Sequence, residues 1–517
     1  MRVPAARAWL QAAVLSALAA TFFAPGIFLG QLPVFRDLLV LVLPLRQYTA
    51  QALWRGEIPL WTSEIFFGAP YLANYQSAVL YPPSLIAGLG PIPVGLSLYL
   101  ALHVFVAGLG TARYLERIIA LPPAAAAFGA VVFAFGGFLF SLVSLTNQLA
   151  AAAWLPWVLL AAERLRRGGH PGAFVALTVF VSLQLLAGAP EVVVLTGALV
   201  AASLAHGLVR GEAPIRTLAL VGAAFAFAAA IAAAQLLPTL EYLGLTNRVD
   251  GLPYAEVASE SFEPASFLQF LLPHTFEDGA PGFIPEPGVP LFWSLYLGVA
   301  PLLLIAAALA ARPPLFWIAT AVLAALLAMG GHFVLFPALH AVAPGIVDAF
   351  RYAGKLFLPA HFALAVLAAV GLTRTFESSR ARTAAMIAAG IAAAFGIPII
   401  LFIHLDAERA LRTLGYDLRT GLSAEAYAWI GAQVSAKAQR LAAFALVTGS
   451  LLWIFSRAWI RRAVFAGLLT LSSFLDLLTV HQPSLVFTDW ASLRRANGDD
   501  TPVTEPRQRV FHYVREP

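Results

Sequence analysis

Apolar runs of about 20 residues recur along the whole chain, separated by short charged stretches. A water-soluble core could not bury them all. Each can instead cross a ~30 Å hydrocarbon layer as a helix that satisfies its own backbone groups. Sixty per cent of the 517 residues are hydrophobic and only 11% are charged, a combination outside the soluble globular classes. Spans are expected at residues 8–29, 93–112, 121–143, 147–162, 172–188, 191–208, 217–239, 292–310, 315–330, 356–373, 384–404, 441–456 and 463–480. The expected fold is an all-α integral membrane protein, a polytopic helical bundle of about thirteen transmembrane helices.

Basic residues give the orientation. With Arg2 and Arg7 inside, the alternate connections carry Arg113 and Arg117, then Arg164, Arg166 and Arg167, then Arg210 and Arg216. Arg312, the group Arg374, Arg380 and Arg382, and the group Arg457, Arg461 and Arg462 continue the alternation. All fall on one face, which the positive-inside tendency makes cytoplasmic. The N-terminus is then cytoplasmic and the C-terminus extracytoplasmic, in a bacterial inner membrane. A net charge of +5 does not point to nucleic acid, because the basic residues are dispersed among short loops. Cysteine is absent, so neither a disulfide framework nor a thiolate metal site is available. Ala17-Leu18-Ala19 resembles a cleavage site, but the apolar run continues to Leu29, which favours an uncleaved anchor.

Residues 1–480 form the expected transmembrane domain, with long extracytoplasmic loops near 30–92, 240–291 and 405–440. Residues 481–517 form an extracytoplasmic tail, which reads equally as the start of a larger soluble region and includes the alternating run 509–515. Prolines at 281, 285, 287 and 290 mark irregular loop. No internal repeat is visible, and an odd helix count does not suit two duplicated halves.

Polar residues gather on the outer face. Asp37 follows the first span closely; a carboxylate there could accept a proton from a hydroxyl or ligate a hard cation such as Mg or Mn. It could equally pair with a neighbouring arginine or cap the following helix. The first loop adds Glu64, Tyr71, Asn74, Gln76 and Tyr81, side chains suited to a sugar, although an interfacial aromatic belt would account for the rings. Glu191 opens a helix after Pro190, as ordinary N-terminal chemistry or as a carboxylate kept for use at depth. Arg351, Tyr352 and Lys355 stand outside against the positive-inside tendency. Two cations four residues apart could share a helical face and grip a phosphate, or snorkel to headgroups. Glu256, Glu260 and Glu263 read as a solvated acidic face, and His103, Gln184, Gln235, His361 and Asp476 as helix-packing hydrogen bonders.

Gly56-Glu57-Ile58-Pro59-Leu60-Trp61, then Phe67-Gly68-Ala69-Pro70-Tyr71-Leu72-Ala73-Asn74-Tyr75-Gln76-Ser77 and Tyr81-Pro82-Pro83, resemble the first-loop signature of bacterial YfhO-type membrane proteins, of the GT-C class of glycosyltransferases. Phe135 to Phe138, Ala153 to Trp157, Gly188 to Glu191, Gln235 to Pro238 and Phe350 to Lys355 agree in order. The resemblance implies a GT-C-like fold and transfer of a sugar from a polyprenyl-phosphate donor to a cell-envelope glycan, lipid or protein on the outer face of the membrane. It implies that Asp37 activates the acceptor hydroxyl or holds any metal, that Arg351 and Lys355 bind the donor phosphate, and that Glu64, Tyr71, Asn74, Gln76, Tyr81, Glu191 and Tyr352 line the substrate site. Ala189 departs from the pattern, standing where a histidine is expected. A flippase or transporter of a lipid-linked saccharide, and a non-catalytic scaffold for envelope assembly, are the alternatives.

Overall fold

A computed structural model of the protein describes residues 5–63, 68–88, 90–168, 171–212, 215–246, 248–274, 291–413 and 424–490. Glu64, the proline-rich stretch 279–290 and the run 509–515 lie outside the described residues. The architecture is all-α, and helix lies in each expected span, from Ala5–Phe22 to Arg462–His481. Among the described residues, seven helices are long and apolar enough to cross a membrane, or eight if the bent pair Arg216–Ile231 and Ala233–Leu243 counts as one span. The expected number of about thirteen is not reached by that measure. Pro171–Leu186, Val299–Ala310 and Leu315–Ala328 are apolar but shorter, at 10–17 residues. The chain is a multi-pass membrane protein.

Among the described residues, sheet is confined to two short antiparallel pairs. Gln31–Pro33 pairs with Phe487–Asp489, Leu32 opposite Thr488, so the start of the tail adds a strand beside the end of the first helical region. Trp61–Thr62 pairs with Ala69–Pro70 and closes a small hairpin within the first loop.

The chain divides into two compact units, one of residues 1–110, 142–252 and 482–517, the other of residues 111–141 and 253–481. In the second unit the helices approach through small residues. A Cβ on Gly371 would collide with the Leu304 carbonyl, and one on Gly396 would meet the Ala438 carbonyl at 2.8 Å. Close backbone approach is how helices gain packing energy where lipid supplies no hydrophobic drive. On the helix Ser379–Leu405, Ile387, Ile391, Phe395 and Leu401 stay exposed, the face such a helix turns to lipid.

The third expected loop, 405–440, is corrected. Ala407–Thr413 is a short helix, and Ala424–Ser456 is one 33-residue helix that continues the expected span toward its N-terminus. Lys437 and Arg440 interrupt the apolar run in the sequence, but the fold supplies both with partners. Lys437 Nζ donates to the His274 carbonyl at 2.6 Å, and Arg440 Nη1 reaches Asp476 Oδ1 at 3.3 Å. Asp476, fully buried, also accepts from the Tyr296 hydroxyl at 2.8 Å and from the Val299 backbone N–H at 2.8 Å. One carboxylate thus joins two helices and the entry to a third.

Candidate functional site

The first unit holds most of the expected site residues. Asp37 starts a helical segment: residues Leu38–Val42 form a π-helical turn that runs into the helix Leu43–Trp54. The capping alternative fails here, because the Asp37 side chain makes no cap hydrogen bond. Arg36, immediately before it, has φ 51°, a left-handed conformation that costs a non-glycine residue on the order of 1 kcal/mol or more. Burial pushes the Asp37 carboxyl above its ordinary range, and the Arg36 charge only partly offsets this. A carboxyl so placed is a stronger base than one in water.

Nine residues on, roughly 13 Å along the helix, stands the residue that organises the loop. Arg46 is 4% exposed, and the sequence reading did not single it out. Its Nη1 donates to the Ser77 carbonyl at 2.7 Å and to Ser84 Oγ at 3.3 Å, its Nη2 to Asn147 Oδ1 at 3.4 Å, and its guanidinium lies 5.3 Å from the Tyr99 ring centroid. These partners are carbonyl, hydroxyl, amide and ring, all neutral. The only signal in the sequence is a lone cation in the apolar stretch 38–50.

Other helices hold the same loop by its peptide groups. Asn147 Nδ2 donates to the Gln76 carbonyl at 3.1 Å and to the Ala187 carbonyl at 2.7 Å. Gln235 Nε2 donates to the Leu72 carbonyl at 2.5 Å, and Thr239 Oγ1 to the Ala73 carbonyl at 3.0 Å. Both donors sit on Ala233–Leu243, which is bent 78° from the helix before it. The bend turns these side chains' short helix toward the loop as a shelf.

The expected ligand contacts therefore separate into two groups. Tyr71 and Tyr81 are both buried, with hydroxyls occupied inside the unit. Tyr71 donates to the Leu45 carbonyl at 2.6 Å and lies 2.9 Å from Thr49 Oγ1. Burial raises its phenol to about 12, so it stays a donor at neutral pH. The Tyr81 hydroxyl lies 2.8 Å from His103 Nε2 and accepts from Trp154 Nε1 at 2.8 Å. These rings belong to the loop's framework. Asn74 turns its Oδ1 to the Gln76 backbone N–H at 3.1 Å and caps a short 3₁₀ turn, while the Gln76 side chain is exposed.

Glu191 does lie beside this loop. Gly188, with φ 88°, approaches so closely that a Cβ would collide with the Tyr75 carbonyl. The Tyr75 hydroxyl donates to the Leu185 carbonyl at 2.6 Å, and its phenol is raised by burial and further by the charge of Glu191. Gln148 Nε2 donates to Glu191 Oε1 at 3.3 Å. Glu191 thus stands in the first turn of its helix with an amide partner from the helix Thr146–Gly168.

Arg351, Tyr352 and Lys355 belong to the second unit. They do not share a regular helical face: Ala353–Phe357 is a 3₁₀ turn, and the helix starts only at Leu358. Tyr352 takes φ 74°, and Ala353 and Gly354 donate to the Ser259 and Glu260 carbonyls at 3.2 and 3.1 Å. A Cβ on Gly354 would lie 2.5 Å from the Glu260 carbonyl oxygen, so this cross-link needs glycine. Lys355 Nζ lies 5.2 Å from the Tyr352 ring centroid, a cation–π contact. Arg351 Nη2 lies 2.5 Å from Glu256 Oε2. Glu260 Oε2 accepts the Leu291 backbone N–H at 2.6 Å. The expected solvated acidic face is corrected to this extent: two of its three carboxylates hold specific partners.

Among the described residues no three His, Asp or Glu side chains gather so as to hold a metal ion.

No protein-family model matches the sequence, and no curated protein matches it. Among solved structures the chain is similar to the arabinofuranosyltransferase AftD from Mycobacteria, at 18% identity and TM-score 0.48, over 88% of this chain and 27% of that one. It is similar to ArnT from Cupriavidus metallidurans, at 14% identity and TM-score 0.48, over 93% of this chain and 77% of that one. It is also similar to the Archaeoglobus fulgidus oligosaccharyltransferase, at 13% identity and TM-score 0.39, over 96% of this chain and 58% of that one. The chain thus spans only 27% of the length of AftD. At such identities and TM-scores the function has to be argued from this chain's own residues.

Arg46 gives a direct measurement on the framework. Arg46→Met leaves the buried Ser77 carbonyl without this donor and is expected to cost about 2 kcal/mol. Thermal unfolding in detergent checks the loss, and faster proteolysis within residues 68–88 would place it in the loop.

Proposed function

We propose that the protein is a membrane glycosyltransferase of the GT-C class, which moves a sugar from a polyprenyl-phosphate donor to a cell-envelope acceptor on the outer face of the bacterial inner membrane. The observation that carries the reading is Asp37: a carboxylate excluded from capping, made more basic by burial, and set on the helix that anchors the motif-bearing loop. In this reading Asp37 takes the proton of the acceptor hydroxyl as its oxygen attacks the anomeric carbon. The bond from that carbon to the donor phosphate breaks, and the polyprenyl phosphate leaves with the electron pair. By the resemblance to YfhO-type proteins, Arg351 and Lys355 are the candidate cations for the donor phosphate. Gln76 and Glu191 are the remaining first-unit candidates for sugar hydroxyls. No step is routed through a metal ion.

Incubating the purified chain with labelled polyprenyl-phosphate sugars and envelope acceptors tests this directly. Release of polyprenyl phosphate together with labelled acceptor is expected. Movement of the intact lipid across proteoliposomes without release would replace the reading with a flippase, and unchanged cell-surface glycans after loss of Asp37, Arg351 and Lys355 would replace it with a scaffold.

The base must be ionised to work. Since burial raises the Asp37 carboxyl, the acidic limb of kcat/KM should lie above the ordinary aspartate value of about 3.9, with activity lost as the pH falls through it. A limb at or below that value would remove Asp37 from the role.

A further inference from the structure

The first unit carries a second polar feature, well separated in sequence from the loop residues of the proposed reaction. Where the helix Thr146–Gly168 ends and the helix Arg216–Ile231 begins, there is a cavity of about 480 Å³ lined by Leu165, Arg166, Arg167, Glu212, Arg216 and Leu220, among others. Its arginines are not equivalent. Arg166 is fixed between two carboxylates: its Nη2 lies 2.8 Å from Glu163 Oε2 and its Nη1 3.7 Å from Glu212 Oε2, with Nη1 also donating to the Glu212 carbonyl at 3.1 Å. The Ser203 hydroxyl donates to the other oxygen of Glu163 at 2.6 Å, so both oxygens of this carboxylate are engaged. Arg166 is thus a neutralised floor.

Arg167 and Arg216 are different. Both are exposed, and Arg167 Nε lies 3.9 Å from Glu163 Oε2. Counting Glu163 of the floor with the described lining residues, three arginines face two carboxylates, which leaves an excess of one positive charge. Arg216 also opens its helix, and the N-cap residue Ile215 supplies no side-chain cap. The amides of that first turn add to the positive potential.

The surroundings indicate what kind of anion can reach this cavity. Val209, Ile215 and Leu218 beside it are exposed, and Leu220 in its wall is 37% exposed. Exposed aliphatic side chains interleaved with arginines describe the boundary between hydrocarbon and headgroups, and arginines there attract anionic lipid.

The geometry points to a binding site for a phosphate-bearing anion, the headgroup of an anionic phospholipid, in the cavity formed by Arg167 and Arg216 over the Glu163–Arg166–Glu212 floor. The inference is independent of the proposed sugar transfer. It gives the unit a lipid ligand on the arginine-rich face that the charge alternation makes cytoplasmic.

Native mass spectrometry of the detergent-purified full chain tests it, with phosphatidylglycerol or phosphatidylcholine as the added lipid. The wild type should retain phosphatidylglycerol preferentially, and R167A/R216A should retain it at least roughly tenfold less tightly. R380A/R461A removes two exposed arginines elsewhere and should leave retention unchanged. Leu220→Trp fills the cavity without altering charge and should reproduce the loss, and unfolding temperatures of all variants are measured in parallel. Calorimetry with inorganic phosphate separates the sources: heat in the wild type that is absent in R167A/R216A, with lipid retention unaltered, would assign the site to a soluble phosphate. Equal lipid retention in wild type and R167A/R216A with no phosphate heat overturns the site, as does an equal loss in R380A/R461A.

Discussion

Asp37→Asn is expected to lower the rate of sugar transfer by about 10²–10⁴-fold while leaving binding of the polyprenyl-phosphate donor within a few-fold of the wild type. The amide keeps the size of the side chain and removes only the capacity to take a proton. The variant should also fold well, as the linkage shows. A carboxyl raised in the folded state binds its proton more tightly there than in the unfolded chain, so stability falls as the pH rises from the unfolded value through the folded one. The amide variant lacks that ionisation, and its thermal stability at neutral pH should equal or exceed the wild type's. Single-turnover release of polyprenyl phosphate, beside donor binding and a melting curve, separates a chemical role from a structural one. Equal turnover in the two proteins would remove Asp37 from the reaction. A loss of donor binding as large as the loss of rate would make it a binding group instead.

The second large effect lies away from the proposed chemistry. Asp476→Ala is expected to destabilise the second unit by about 3 kcal/mol, toward the lower end for breaking a buried pair because Arg440 keeps access to solvent. The substitution leaves the Val299 N–H and the Tyr296 hydroxyl without their acceptor, and Arg440 without its carboxylate. Asp476→Asn keeps an acceptor for one of these donors and should cost about 1–2 kcal/mol. Unfolding in detergent, followed for D476A, R440A and the double variant, gives the coupling directly. The double variant should be less destabilised than the sum of the singles, because the uncompensated charge is gone. Strict additivity would mean that the ion pair contributes nothing, and that the Val299 and Tyr296 hydrogen bonds account for the whole loss.

Both residues show how differently the sequence speaks about local and distant matters. Asp37 was legible as a carboxylate just after the first helical region, and that expectation needed only its position beside an apolar run. Its exclusion from capping, and the left-handed Arg36 before it, appear only in three dimensions. Asp476 was legible as a hydrogen bonder between helices, but its partners Tyr296 and Arg440 are 180 and 36 residues away in sequence. Charges at Lys437 and Arg440 hid half of a 33-residue helix, because hydropathy scores a charge by its type and cannot see the acceptor that neutralises it.

The motif-bearing loop shows the same division. Its aromatic and amide residues stood out, but nothing in their spacing distinguished Tyr71 and Tyr81, which hold the loop from inside, from Gln76, which faces out. Arg46, which joins Ser77, Ser84 and Asn147, carries no motif at all. Arg351 looked like a cation awaiting an anion, and the fold had already given it Glu256.

The sequence by itself determined that the chain is a multi-pass helical membrane protein with helix in each long apolar run, because transfer into hydrocarbon and backbone self-satisfaction sum along a single segment. The tertiary structure alone decided which polar groups are paired inside the framework and which stay exposed. Hydrogen bonds and ion pairs join residues whose separation along the chain bears no relation to their distance in space, and each buried donor must find its acceptor through packing.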